Sequence, residues 1–459
     1  MKAIKISEIA NIVGGTLHGA GDEFVTSVEI DSRKVREGSM FAALSGKKVD
    51  GHDYIGKAFK NGAVCCIGSY MPAGETRPII IVEDVQKALQ ELAGWYRNTL
   101  RISVIGITGS VGKTTTKEMV ASVLETGFHV LKTHGSLNNE LGLPLTLLKI
   151  EKEHECAVVE MGVSHFHEMS ILAKMTRPDI GIFTMIGHAH MKNFGDRYGI
   201  LRAKTEMLDY MDSNGTMIVN GDDDLLSTYV PDGKKKLTYG KNPYCDIRIM
   251  NLQTDFSRTV CDITDGKRCI HATVNEYGDH IVYAMLAAVT VGFCMGLTDE
   301  QIRLGLLNYR TVGRRARVLS TKGHLTVIDD CYNASPESMR NAILSMKHFR
   351  GRRKIAVLGD MLELGNNEAK HHYALGELAG ESGIDLLLGV GDLSAYTVMG
   401  AIAAGEVSMH FEDKEQLINQ LPTILQEGDV VLVKASHAMG FEVIVDAIQK
   451  MDLQETIDK

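Results

Sequence analysis

Short apolar runs recur along the chain, each closed by glycine or a charged residue, and longer stretches between them carry apolar residues three and four apart. In residues 1–83 the runs are brief and β-like ("FVTSVEIDSRKV", "SMFAAL", "AVCCIGS", "PIIIVE"), with one helical stretch near 52–62. "VQKALQELAGWYRNTL" at 85–100 has helical spacing and predicts a connector into the next unit. From 101 to about 312 the strands "ISVIGIT", "CAVVEMG", "DIGIFTMI" and "GTMIVNGDD" alternate with helical patterns. The alternation restarts in "LTVIDDCYN", "RKIAVLGDM", "IDLLLGVGD" and "GDVVLVKAS". Strands separated by helices predict mostly parallel sheets covered on both faces. The expected architecture is therefore α/β in three domains. A small N-terminal domain spans 1–83, a central doubly wound domain 84–312, and a Rossmann-like C-terminal domain 313–459. Linkers around 84–100 and 308–314 are expected to let the domains close over a ligand.

Composition supports this outline and removes some alternatives. A chain of 459 residues accommodates about three domains, and 44% hydrophobic with 23% charged residues is globular composition. The net charge of −9 argues against a nucleic-acid partner, and the lysine run "GKKKL" at 233–237 reads as a solvated turn. "MKAIKISEIANIVGG" carries an acid and polar residues where a signal peptide needs an unbroken apolar core. The longest apolar stretch, "MLAAVTVGFCMGL" at 285–297, is too short for a membrane span and predicts a buried helix. The eight cysteines form no C-x-x-C pair and read as buried thiols of a cytoplasmic protein. A monomer is expected.

The candidate chemistry begins at "GITGSVGKTTTKEMV", residues 106–120, between a strand and a helix. Gly109 and Gly112 let backbone N–H groups converge on an anion, and the helix N-terminus adds partial positive charge. Lys113 is placed to reach outer phosphates, and Thr114 or Thr115 to offer a hydroxyl to Mg²⁺. Ile107 stands where the strict phosphate-loop pattern has its first glycine, so this is a variant loop. Further polar residues follow strands: Glu160, His188, His190, Asp329, Asp330, Asp360 and Lys434. Strand C-termini are where α/β sheets gather ligands. Taken singly, Glu160 reads as readily as a solvated residue, His190 as a surface or core imidazole, and Lys204 as a snorkelling lysine.

Together "TGSVGKTTT", "LNNELGLPLTLL", "VVEMG", "AHM…FG…I..AK.E" and "VIDDCYNASPESM" resemble, in kind and order, the motifs of the Mur ligase family. These are the ATP-dependent amide-forming enzymes of peptidoglycan assembly, and the resemblance covers essentially the whole chain. "DSRKVREGSMFAALSGKKVDGHDYI" and "GDMLELG" look like the branch that adds D-alanyl-D-alanine to a UDP-N-acetylmuramoyl tripeptide. The resemblance implies ATP and Mg²⁺ as cofactors, UDP-muramyl-peptide and D-Ala-D-Ala as small-molecule partners, and an acyl-phosphate intermediate. It implies that Gly109, Ser110, Val111, Gly112, Lys113, Thr114 and Thr115 cradle ATP, with Arg315 and Asp330 gripping the nucleotide from the inter-domain cleft. By the same resemblance Lys113, Glu160, His190 and Lys204 are catalytic. Thr115, Glu160, His190 and a CO₂-carbamylated Lys204 would ligate magnesium. Asn138 and Asn139 would hold the muramyl peptide, Asn333 the incoming dipeptide, and Ser32 and Arg33 the uridine diphosphate end.

The chain also departs from the family pattern. Ile281 and Ala284 in "GDHIVYAML" replace two asparagines that lie against the bound nucleotide in relatives. Lys192 replaces an acid, and Ala435 and His437 stand where the branch shows Gly and Arg. Two other readings therefore stay open: a ligase of the same chemistry with a different amine or acceptor, and a nucleotide-binding regulatory paralogue with little turnover.

Overall fold

The computed structural model describes residues 1–46, 48–349 and 352–451. Lys47 of the N-terminal motif and residues 452–459 of the third expected domain lie outside the described residues. The central sheet has nine strands, in the spatial order Cys269–Val274, Thr259–Thr264, Ile247–Thr254, Lys235–Gly240, Thr216–Asn220, Ile180–Phe183, Ser103–Thr108, Cys156–Glu160 and Val130–Lys132. Its last seven are mutually parallel, joined through helical crossovers except between Lys235–Gly240 and Ile247–Thr254, where no helix intervenes. The first two add an antiparallel meander at one edge, which the sequence pattern does not announce. The run "GKKKL" is corrected here: Lys235–Gly240 is a strand of this sheet, and only the residues before it form the turn.

The C-terminal sheet runs Arg317–Ser320, Thr326–Asp329, Val430–Lys434, Lys354–Gly359, Leu386–Val390 and Ser408–Phe411, parallel except at the first edge. The N-terminal sheet has five short strands, preceded by a helix at Ile6–Ile12 that the apolar spacing left unannounced. Six of the eight cysteines are buried; Cys269 and Cys294 are exposed, against the expectation for all eight.

One expected linker is not a linker. Val85–Asn98 is a helix whose Leu89, Leu92 and Ala93 are fully buried, inside one apolar cluster that runs from Ile4 to Leu226. The Tyr96 hydroxyl donates to the Ile150 carbonyl at 2.6 Å and accepts from the Lys2 N–H at 2.8 Å. Arg97 Nε donates to the Thr176 carbonyl at 2.9 Å. The N-terminal and central parts are thereby one packed body. Helices Lys113–Leu124 and Asp279–Cys294 cover the opposite face of the central sheet. The C-terminal part has two apolar clusters, one of which takes in Tyr277 of the central part, and it follows a largely exposed stretch at 310–313 with no helix or strand. Among the described residues no helix is long and apolar enough to cross a membrane.

Candidate functional site

The turn after strand Ser103–Thr108 is shaped by two glycines in left-handed backbone, Gly109 at φ 146° and Gly112 at φ 89°. A side chain at Gly109 would also collide with Thr184, whose Oγ1 lies 2.0 Å from the position of a Cβ. Ser110 N–H donates to the Met185 carbonyl at 2.8 Å and Thr184 Oγ1 donates to the Val111 carbonyl at 2.6 Å. The loop is thus pinned to the end of the neighbouring strand. The first amides of helix Lys113–Leu124 have no intrahelical partner, which makes the loop a ready anion site. The buried Ser110 hydroxyl has no hydrogen-bond partner among the described residues, as a donor awaiting an anionic oxygen would be. Lys113 Nζ donates to the Gly109 carbonyl at 2.7 Å. Burial lowers the Lys113 pKa, Glu160 opposes the shift, and the guanidinium of Arg315 adds to it.

Glu160 closes strand Cys156–Glu160 and is 2% exposed. Its Oε2 accepts from Thr114 Oγ1 at 2.8 Å and its Oε1 from Asn138 Nδ2 at 2.7 Å. The hydroxyl at this carboxylate is therefore that of Thr114. Thr115, which the resemblance puts forward as the metal ligand, lines the same cleft without reaching Glu160. The Asn139 side-chain oxygen accepts from the Gly142 N–H at 2.9 Å and so orders the start of helix Gly142–Leu147. Lys117, absent from the expected set, is fully buried. Its Nζ donates to the Thr133 carbonyl at 2.7 Å and lies 3.9 Å from Glu160 Oε2.

His190 follows strand Ile180–Phe183, and its Nδ1 is 2.6 Å from Glu363 Oε2. Burial pushes its imidazole below the ordinary pKa, with Glu363 pulling upward and Lys113 and Lys204 adding to the depression. Lys204, on helix Arg197–Thr205, is 2% exposed, and its side-chain nitrogen makes no hydrogen bond or ion pair among the described residues. Burial and then the charge of Lys113 hold its pKa well below the lysine range, against a weaker pull from Glu168.

The opposite wall comes from the C-terminal part. The Arg315 guanidinium stacks 3.8 Å over the Tyr332 ring. Asp330 accepts from the Ala316 N–H at 3.0 Å and from Lys434 Nζ at 2.6 Å, and Lys434 also donates to the Asn333 carbonyl at 2.9 Å. Between the walls lies a cleft of about 660 Å³, lined by Ser110, Val111, Gly112, Lys113, Thr114, Thr115, Asn138, Asn139, Glu160 and His190 on one side and Arg315, Asp330 and Asn333 on the other. Lys204, Ser32 and Arg33 are not on its lining. Ser32 is buried, its carbonyl accepting from Asn61 Nδ2, and the exposed Arg33 pairs with Asp31. Ile281 and Ala284 are each 1% exposed and belong to the apolar cluster under helix Lys113–Leu124. His280 beside them lines the cleft. Sequence reading left Lys117, Glu337 and Glu363 out; the quoted motif "GDMLELG" was the only signal for the last.

Comparison with known proteins adds independent findings. Residues 24–97 match the description "Mur ligase family, catalytic domain", residues 107–292 "Mur ligase middle domain", and residues 314–437 "Mur ligase, glutamate ligase domain". A UDP-N-acetylmuramoyl-tripeptide–D-alanyl-D-alanine ligase of Bacillus subtilis is 35% identical over 96% of this chain and 97% of its own. Its namesake in Escherichia coli is 33% identical over 98% and 99%. Among solved structures, MurF from Acinetobacter baumannii aligns with a TM-score of 0.90 and 28% identity, covering 98% of this chain and 100% of that one. MurF from Thermotoga maritima in complex with ADP aligns with a TM-score of 0.82 and 30% identity, covering 92% and 97%. Matched along its length in sequence and in fold, the chain belongs to the Mur ligase family.

Proposed function

We propose that the chain is an ATP-dependent amide ligase that joins D-alanyl-D-alanine to the terminal carboxylate of a UDP-N-acetylmuramoyl tripeptide, in peptidoglycan precursor synthesis. The observation that carries this reading is the shared cleft. An anion-ready loop and Glu160 on one wall face Arg315, Asp330 and Asn333 on the other, so a nucleotide and two further substrates can converge. Identity to the Bacillus subtilis and Escherichia coli ligases over nearly the full length supports the choice of substrates.

A free carboxylate is a poor electrophile, and phosphorylation activates it. The tripeptide carboxylate attacks the γ-phosphorus of ATP, the bond to the bridging oxygen breaks, and ADP leaves. The dipeptide amine then attacks the acyl carbon and loses a proton as inorganic phosphate departs. The chain contributes position and charge. Its helix-start amides and Lys113 meet the outer phosphates, and Arg315 brings a second cation from across the cleft. Ser32 and Arg33 lie on the N-terminal part, where the uridine diphosphate end would reach. Asn138 ties the peptide-side loop to Glu160.

The donor set fits Mg²⁺, which takes one or two carboxylates together with phosphate oxygens and water. Glu160, the Thr114 hydroxyl and His190 border the loop that would hold those phosphates. A cation there would neutralise phosphate charge. Lys204 in its neutral form can add CO₂: its nitrogen forms an N–C bond, one proton leaves, and a carbamate replaces an ammonium that would repel the cation. One chain supplies both walls, consistent with action as a monomer in the cytoplasm, where nucleotide-linked precursors are made.

The test is phosphate release from ATP and Mg²⁺, with each substrate omitted in turn and the product identified by mass spectrometry. Release that requires both substrates, yields the pentapeptide, and vanishes in Lys113→Ala is the expected result. Absence of product with both lysine- and diaminopimelate-containing tripeptides would overturn the assignment.

A further inference from the structure

Two histidine–carboxylate pairs bridge the cleft, joining residues far apart in sequence. The strip that follows strand Ile180–Phe183 carries both histidines, and both carboxylates come from the C-terminal part. Glu337, in the first turn of helix Pro336–Ser345, accepts from the His188 N–H at 2.9 Å, and the same oxygen lies 2.5 Å from His188 Nδ1. Gly187 makes room for this approach, since a Cβ there would fall 2.6 Å from the Glu337 carboxyl carbon. The second pair is His190 Nδ1 with Glu363 Oε2 at 2.6 Å. Both partners hold left-handed backbone, His190 at φ 60° and Glu363 at φ 65°, a conformation uncommon outside glycine. Two adjacent anchor points thus seat the C-terminal part on one strip.

An imidazole that binds a cation through one nitrogen needs its other nitrogen held, because that bond fixes the ring and the tautomer. An ionised carboxylate has no proton to give, so the hydrogen shared by this pair sits on Nδ1, and in the neutral imidazole Nε2 then keeps its lone pair. His190 lines the cleft. With Nδ1 committed to Glu363, Nε2 is the nitrogen left to act there.

We propose that Glu363 is a positioning residue that works from across the cleft, orienting His190 so that its Nε2 serves the cation of the phosphate site when the C-terminal part is seated. Glu337 and His188 hold the strip at its neighbouring point. The inference rests on the Mg²⁺ reading given above. It ties completion of the cation site to closure: the wall that brings Asn333 also brings the carboxylate that readies His190.

The experiment measures Mn²⁺, as a paramagnetic stand-in for Mg²⁺, by electron paramagnetic resonance on the full chain with a non-hydrolysable ATP analogue. Glu363→Ala, Glu363→Gln, His190→Ala and the Glu363→Ala/His190→Ala double variant are compared with wild type. The Glu363 side chain is 60% exposed, so its replacement leaves the fold intact, which thermal melts check. Expected are a loss of Mn²⁺ affinity of about tenfold in Glu363→Ala, unchanged affinity for the analogue without metal, and recovery in Glu363→Gln, whose amide oxygen can still accept from Nδ1. In the double variant the loss should equal that of His190→Ala alone. Wild-type affinity in Glu363→Ala alongside a weakened His190→Ala, or additive losses in the double variant, would overturn the inference and leave the metal reading standing. Wild-type affinity in His190→Ala would overturn both.

Discussion

Lys204→Met should make the protein more stable and inactive at once. Lys204 is buried, its side-chain nitrogen has no hydrogen-bond or ion-pair partner among the described residues, and it feels the like charge of Lys113. An ammonium in such a place is costly, and methionine has nearly its shape without its charge. Replacing buried charge by apolar groups of similar size stabilises by about 1–4 kcal/mol where it has been favourable. A gain of about 2 kcal/mol is expected here, or about 5 °C in melting temperature at about 2–4 °C per kcal/mol in a unit of a few hundred residues.

The gain must depend on pH in a fixed direction. Unfolded, Lys204 keeps its proton up to the ordinary lysine pKa; folded, it gives the proton up at lower pH. Between those two values the unfolded chain binds more protons, so wild-type stability rises with pH across that window. The advantage of Lys204→Met is therefore largest and flat below the folded pKa, and shrinks as pH rises towards the lysine value. Differential scanning calorimetry in CO₂-free buffer at several pH values measures this. Added bicarbonate should then raise the melting temperature of wild type alone, because carbamate formation draws on the folded state. A methionine variant that melts below wild type, or a gap that ignores pH, would refute the picture of an unpartnered amine.

The remaining predictions concern parts that should separate cleanly. Thr114→Ala removes the hydroxyl donor to Glu160, a bond to a charged group worth about 1.5–3 kcal/mol, so kcat/KM for ATP should fall about 10- to 150-fold; Thr115→Ala should cost less, and steady-state kinetics showing the reverse order would favour Thr115 as the ligand. Tyr96→Phe deletes a hydroxyl shared by Lys2 and Ile150. It should lower stability by about 1–3 kcal/mol with ADP affinity unchanged, read by calorimetry and nucleotide titration.

Local order in the sequence carried much of this structure. The strands of the phosphate loop and of Glu160 are apolar runs ending in the residues that matter, and the parallel sheets follow from their alternation with helices. The motifs of the phosphate loop, Glu160 and Asp330 each follow a strand end, where α/β sheets gather ligands, whereas Lys204 lies on helix Arg197–Thr205. What could not be read depends on packing between distant segments. Glu337 meets His188 at a separation of 149 residues, and no pattern in either segment announces the other. Ile281 and Ala284 looked like lost ligands in a motif, yet their surroundings are apolar core. The strand Ile247–Thr254, paired on both sides, is still largely solvent-facing, so its polar residues hid a strand. Lys235 and Lys236 misled for the same reason, standing at a strand's beginning with part of their length in water.

The helix Val85–Asn98 changes how closure must work. Had it been a flexible connector, three bodies could move independently. Buried as it is between Ile150, Thr176 and the N-terminal segment, it fixes the N-terminal and central parts as one unit. The phosphate loop, Glu160 and the face around Ser32 then keep a constant spacing, and a long substrate that reaches both is measured against a rigid frame. The C-terminal part has an exposed connection at 310–313, and it meets the frame at the histidine strip through two side-chain pairs and at Tyr277, which is buried in its apolar cluster against Phe349. A few charge-assisted hydrogen bonds of this kind give a contact that can form and release during each turnover. In a reaction whose intermediate is an acyl phosphate, that division has a chemical use. The carboxylate and ATP can be assembled on the fixed frame, while the wall that brings the amine also shuts out water when a hydrolysable bond exists.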